Sequence, residues 1–381
     1  MTNDRSRARA LSGAALLAPL FLAGAGPAKD DELGLDPQAL VEITPEQERA
    51  VAQGLAWLAQ NQNADGSWTA KIGFKLNNNY KWTADDRGHV GVSALACMAF
   101  LAGGHLPGRG EYGPVVDSGL DFVLSCVNDD GYITHAGTRM YSHAFATLFL
   151  AEVYGMTHRD DVKKNLQKAV DFIVKSQNHE GGWRYVPLAR ESDMSIVVCQ
   201  VMALRSARNI GIRVPKSTIE RAYNYVVESA VTEEQPRGFQ HAAYRSDVGT
   251  FHYQKDHYSR SSFALTSAGV TALHGLGIYS DKLIAKGVNY LNEDFAKFNS
   301  FWGRTGHYFF WYGHYYGVQA MYTQGGQDWK NYFVNLRRLL IDMQRPDGSW
   351  PNHEGPGSAF GTACAVLILE IPFGFLPIFQ R

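Results

Sequence analysis

A carboxylic acid among hydroxyls at the start of a helix can store and deliver a proton. This sequence carries one in Glu191-Ser192-Asp193-Met194-Ser195. Asp193 is the candidate acid and Glu191 its supporter; Asp193 is equally a candidate N-cap for the helix that follows. The stretch Phe309-Phe310-Trp311-Tyr312-Gly313-His314-Tyr315-Tyr316 offers aromatic faces. Such faces hold cations, stack on sugar rings, or simply pack between helices. Polar residues recur in spaced groups: Asp86 and His89, Tyr141 and His143, Asp193 and Ser195, His257 and Arg260, Tyr312 and His314, His353 and Glu354. None follows a metal-binding spacing, so hydrogen-bonded or solvated histidines are expected, with no metal and no cofactor. Lys71, Lys75, Lys81, Arg87 and Arg184 are candidate anion contacts or plain surface charges.

A helical repeat must position these residues. Six times a long amphipathic pattern runs into a turn, and a more apolar helical pattern follows. Gln62-Asn63-Ala64-Asp65-Gly66-Ser67-Trp68 matches Gln344-Arg345-Pro346-Asp347-Gly348-Ser349-Trp350, and Gln177 to Trp183 and Asn128 to Tyr132 are looser versions. The spacing predicts outer helices over 45–62, 114–126, 161–177, 215–231, 280–297 and 327–344. It predicts inner helices over 88–103, 140–154, 193–210, 260–276, 309–323 and 358–371. Helices apolar on every side must be enclosed. Two concentric layers follow, with the polar groups at the inner-helix starts gathered around one mouth. Their helix dipoles favour an anionic group there. Residues 70–87, 232–259 and 298–308 read as long loops, where function tends to collect.

The turns resemble the QW motifs of squalene–hopene cyclases. Over about residues 45–372 the chain resembles the terpenoid cyclase and protein prenyltransferase α/α-toroid superfamily. The resemblance implies an all-α (α/α)6 toroid of six hairpins around a central cavity, suited to an apolar, isoprenoid-like small molecule. Cyclases of the superfamily use Asp-x-Asp-Asp. Asp193 stands where the acid would be, Glu191 at the first position, and Met194 replaces the last Asp. The prenyltransferases hold zinc with Asp, Cys and His; His314 lies in the region of that His, but Arg260-Ser261-Ser262-Phe263 has no Asp-x-Cys. Zinc is therefore not expected. Asp193, Glu191 and His314 are the catalytic candidates. His89, His143, Arg260, Trp311, Tyr312, Tyr315 and Tyr316 are the ligand-binding candidates.

Composition narrows the classes. The chain has 381 residues, 45% hydrophobic, which is ample for a large core. A net charge of −1 gives no footprint for nucleic acid. Arg5, Arg7 and Arg9 precede an apolar stretch over 11–25 that ends in Ala23-Gly24-Ala25. Residues 1–28 therefore read as a signal peptide, 29–44 as a lead-in and 45–381 as one domain, in an exported protein. The four cysteines show no CxxC spacing and are expected as buried thiols, although a Cys97–Cys364 pair is conceivable if the first and last repeats touch. Residues 371–379 make an apolar C-terminus, and peripheral membrane contact is a further expectation. The oligomeric state is left open. The expected function is binding, and isomerisation or cyclisation, of an isoprenoid-like ligand. The alternatives are a lyase or hydrolase acting on polysaccharide, or a non-catalytic binding module of the cell envelope.

Overall fold

The computed structural model describes residues 41–73, 82–232, 248–255, 261–303 and 306–379. The signal-peptide region and most of the lead-in lie outside the described residues, as do Arg260, His257, Lys75 and Lys81. Within the unit Asp36–Arg381, six helical hairpins follow one another. The outer helices are α1 (Pro45–Gln60), α3 (Gly113–Ser125), α5 (Asp160–Ser176), α7 (Lys216–Glu228), α9 (Lys282–Trp302) and α11 (Gly326–Met343). The inner helices are α2 (Val90–Ala102), α4 (Met140–Thr157), α6 (Met194–Asn209), α8 (Phe263–Gly275), α10 (Tyr308–Gln324) and α12 (Ser358–Glu370).

Each inner helix packs on the next, and α12 returns to α2, so the inner ring closes without a free edge. Every residue of α2 is buried, whereas α5 buries a stripe that includes Val162, Leu166, Ala169, Val170 and Ile173. That contrast is the expected one between an enclosed helix and a helix with one solvated face. Thr44 caps α1 by accepting from the Gln47 N–H at 3.3 Å, with Pro45 at the first helical position.

The turns lock neighbouring hairpins together. Gln62 Nε2 donates to the Gly66 carbonyl within its own turn at 3.0 Å and to the Val115 carbonyl of α3 at 2.9 Å. Gln177 does the same to Gly181 and Thr218, and Gln344 to Gly348 and Ala50. The last of these bonds joins repeat six to repeat one. Trp68, Trp183 and Trp350 each donate an indole N–H to a carbonyl ten residues back, at 2.7–2.8 Å. Gly348 has φ +90°, and a Cβ there would sit 2.6 Å from the Gln53 carbonyl oxygen of α1. Glycine thus allows both the turn and the close approach of the next outer helix.

Two features depart from the sequence reading. The first long loop contains an antiparallel hairpin, β1 (Thr69–Gly73) with β2 (Trp82–Gly88). Helix α9 runs on to Trp302, through much of the expected loop at 298–308. The apolar C-terminus, whose placement the sequence left open, folds back onto the barrel. Ile371, Leu376, Ile378 and Phe379 are buried, and the Ile378 N–H donates to Glu152 Oε2 at 3.3 Å. The segment packs on α6 and α10 at the end of the barrel opposite the inner-helix starts. All four cysteines are buried free thiols; Cys97 points toward Gly119 of α3 and Cys364 into the barrel, which keeps them apart.

Candidate functional site

The first turns of all six inner helices surround a cavity of about 760 Å3. Its wall reaches down to Leu95, Phe145, Ser195, Leu265, Tyr315 and Cys364, one residue from each inner helix. Below that level side chains and the C-terminal segment fill the barrel. Ile72 and Gly73 of β1 and the end of α9, from Tyr290 to Trp302, complete the upper wall. The hairpin is tied to the loop before α12 by Lys71 N–H donating to the Pro356 carbonyl at 2.8 Å. Most of the lining is apolar or aromatic. Among the described lining residues the charged side chains are Arg139, Asp294 and Lys297.

One wall is different. Tyr141, Tyr185, Ser195 and Tyr253 bring four hydroxyls to the cavity, and Asp193 lies directly behind them, fully buried. Tyr141 Oη donates to Ser195 Oγ at 2.7 Å, and Ser195 Oγ donates to Asp193 Oδ1. Tyr253 Oη donates to Asp193 Oδ2 at 3.4 Å and is hydrogen-bonded to Tyr185 Oη. Tyr312 Oη donates to the Ser195 carbonyl at 3.1 Å. Asp193 is also the N-cap of α6, accepting from the Ile196 N–H at 3.1 Å. The candidate acid and the cap are therefore one residue. Burial raises the Asp193 carboxyl to about 6, against the opposing pull of the Ser195 hydroxyl and the Arg184 charge. Burial also pushes the Tyr185 phenol up to about 12 and those of Tyr141 and Tyr312 well above their ordinary range. These phenols donate hydrogen bonds and do not ionise near neutrality.

The other candidates divide. His89, Tyr312 and Tyr315 line the cavity, with His89 capping α2 through Nδ1 to the Val92 N–H at 3.2 Å. Tyr316 lies below the floor, its hydroxyl 3.0 Å from Cys199 Sγ. Trp311 turns away, fully buried, and donates to the Pro351 carbonyl at 3.1 Å. His143 faces the outer layer, where Nδ1 accepts from the Ile133 N–H at 3.1 Å and the ring meets the edge of Phe172. His314 is sealed between Tyr332 Oη at 2.8 Å and Asn299 Oδ1 at 2.7 Å, among Phe263, Phe295, Phe298 and Phe310. Burial lowers both of these imidazoles to about 3. Glu191 is exposed and ion-pairs with Arg184 at 3.5 Å, so it supports Asp193 only through that cation. On α10 the reason is helical geometry: one residue along the helix turns a side chain by about 100°, which takes Trp311 to the sixth turn and α12, His314 to the outer helices α9 and α11, and Tyr316 below the floor toward α6. Three histidines at matching depths in sequence thus diverge, and no group of metal-binding side chains gathers among the described residues.

Tyr185 and Tyr253 line the cavity without having been site candidates in the sequence. Their signal was the turn register. Each lies four residues after a left-handed glycine, Gly181 and Gly249, in successive repeats.

Solved structures of quite different activities share this architecture. A type II terpene cyclase from Scytonema, in complex with geranylgeranyl dihydroxybenzoate, superposes with TM-score 0.51 at 13% identity, covering 87% of this chain and 98% of that one. An alpha-1,6-mannanase from a Salegentibacter species gives 0.58 at 8% identity, with 86% and 99% covered. A cellobiose 2-epimerase from Spirochaeta thermophila gives 0.57 at 12%, with 88% and 99% covered. At such identities the likeness shows the fold alone. No curated protein matches the sequence. The family described as prenyltransferase alpha-alpha toroid domain matches residues 35–306, most of the chain. With the QW-like turns and the closed inner ring, this establishes that the chain belongs to the prenyltransferase alpha-alpha toroid family.

Proposed function

We propose that the protein is exported and binds an isoprenoid-like apolar molecule in its central cavity, isomerising or cyclising it with Asp193 as the source of the proton. The observation that carries this reading is a largely apolar cavity with a hydroxyl-rich wall backed by a buried acid. Its volume falls within the roughly 300–1,000 Å3 of sites that bury a small ligand. Tyr312, Tyr315, Phe145 and Phe309 present aromatic rings to the cavity, where they can steady a developing cation. A terpene cyclase of the same fold holds a geranylgeranyl substrate, which supports the class of ligand. Val186 and Phe301 stand exposed beside lining residues. That supports peripheral contact with a lipid surface, from which such a ligand would enter.

The sugar-acting neighbours favour a second reading, an oligosaccharide substrate. Hydrolysis by paired carboxylates needs two acids across the bond. Asp294 is the single carboxylate among the described lining residues. The test is to incubate the protein with squalene and with geranylgeraniol, follow binding by thermal shift and analyse extracts by mass spectrometry. Binding with rearranged product, reduced roughly 100-fold or more in Asp193→Asn, is the expected result. No binding of either polyene, with stabilisation by mannan or cello-oligosaccharides instead, would overturn it.

A further inference from the structure

Asp193 does not itself reach the cavity. Its carboxyl is fully buried, and each oxygen is screened from the ligand space by a lining hydroxyl: Ser195 in front of Oδ1, Tyr253 in front of Oδ2. From Ser195 the chain runs on to Tyr141, at 2.7 Å. The Tyr141 ring is held edge-on to Tyr312 at 6.4 Å and tilted against Tyr185 at 5.9 Å. The wall is made of neutral donors with a carboxyl behind them, and the Arg184 guanidinium beyond it is paired with Glu191. An anionic head placed here would face that carboxyl. A neutral oxygen would receive hydrogen bonds.

We propose that this wall binds the carbonyl oxygen at the head of an apolar ligand, and that Asp193 exchanges its proton with that oxygen through Ser195 and Tyr141. The proposal rests on the isoprenoid reading above and names the ligand's reacting group. When Asp193 is ionised, Tyr141 donates to Ser195 and Ser195 to Asp193, so every donor points away from the ligand. When Asp193 is protonated, the bonds reverse. Asp193 O–H donates to Ser195 Oγ, Ser195 O–H to Tyr141 Oη, and the Tyr141 O–H is released to the carbonyl.

In the transfer, Tyr141 gives its proton to the carbonyl oxygen while taking one from Ser195, which takes one from Asp193. A carboxylate and a protonated carbonyl remain. Loss of a proton from the adjacent carbon to water leaves the neutral enol, and the reverse sequence returns a solvent proton to that carbon. Tyr141 is the group that touches the ligand. The groups facing Asp193 are Tyr141 from α4, Arg184 and Tyr185 from the third turn, Tyr225 from α7, Tyr253 from the fourth turn, Tyr312 from α10 and Cys199 of α6, with Glu191 acting through Arg184. Since Asp193 titrates at about 6, exchange should be fastest below that pH and fall as pH rises through it.

The probe is geranylgeranylacetone, an isoprenoid ketone, in deuterated water. Binding is read by thermal shift, and deuterium next to the carbonyl by mass spectrometry, at acid and alkaline pH. Wild type should take up deuterium. At saturating ketone, Ser195→Ala and Tyr141→Phe should exchange at least roughly 100-fold more slowly, with Tyr141→Phe also binding more weakly because it loses the donor to the carbonyl, and Ser195→Thr, which keeps the hydroxyl, should restore most of the rate. Exchange in Ser195→Ala and Tyr141→Phe at the wild-type rate, with Asp193→Asn inactive, would overturn the relay while leaving Asp193 as the acid. A ketone that does not bind wild type at all would overturn the isoprenoid reading and the relay with it.

Discussion

At the scale of single residues, Asp193 is both the cap of α6 and the proposed acid. As the cap of α6 it needs only an acceptor oxygen, which asparagine also supplies. As an acid it needs a titratable proton, which asparagine lacks. Burial has raised its carboxyl from an ordinary 3.8 to about 6. For a group raised in the folded state, the stabilisation is complete below the unfolded value and is lost as pH climbs through the folded one. Asp193→Asn should therefore gain stability relative to wild type between pH 5 and pH 8, by about 1–3 kcal/mol. Urea melts at the two pH values measure this. A variant that instead loses ground as pH rises would show that the carboxylate is stabilised where it lies.

At the scale of elements, the turn is the joint of the ring. Gly348 and Gln344 of the sixth repeat meet Gln53 and Ala50 of α1, so this one turn closes the circle. Gly348→Ala would impose a left-handed conformation on an L-residue and drive its Cβ against the Gln53 carbonyl. The expected cost is about 2–5 kcal/mol, combining backbone strain with overpacking. Denaturant unfolding would read it. A near-neutral effect would mean that α1 can shift outward without loss, and the ring closure would be looser than its hydrogen bonds imply. The repeat itself was visible in the sequence because Gln, Gly and Trp recur at fixed spacing. The β1–β2 hairpin was not, because its short strands interrupt a helical repeat, and the polar–apolar alternation of Thr69-Ala70-Lys71-Ile72-Gly73 is only five residues long.

At the scale of the whole molecule, the barrel has one lined end and one filled end. The filled end is sealed by the C-terminal segment, held by Glu152, which accepts from Ser206 Oγ at 2.5 Å and from the Ile378 N–H. Burial raises the Glu152 carboxyl from 4.5 to about 7. Its stabilising contribution is whole below pH 4.5 and fades as pH rises through 7. Glu152→Gln should thus become more stable relative to wild type between pH 6 and pH 8.5. Limited proteolysis of the C-terminal segment should show the same crossover. Equal pH dependence in the two proteins would mean that Glu152 titrates normally and does not control the seal.

The sequence alone determined the hairpins, their order, the two layers and the position of the mouth. These follow from periodicity and turn chemistry, which are local and repeat six times. It also picked out Asp193, His89, Tyr312 and Tyr315, because a helix start and an inner stripe are both legible along the chain. Only the tertiary structure decided that His143 and His314 face the outer layer, that Trp311 packs on the sixth turn and α12, and that hydroxyls stand between Asp193 and the cavity. A shift of one residue turns a helical side chain by 100°. Adjacent aromatics in one dense stretch therefore belong to different surfaces, and which surface is inward is fixed by the neighbouring helices. Tyr141, Ser195 and Tyr253 come from three successive repeats, so their meeting depends on how α4, α6 and α8 pack side by side.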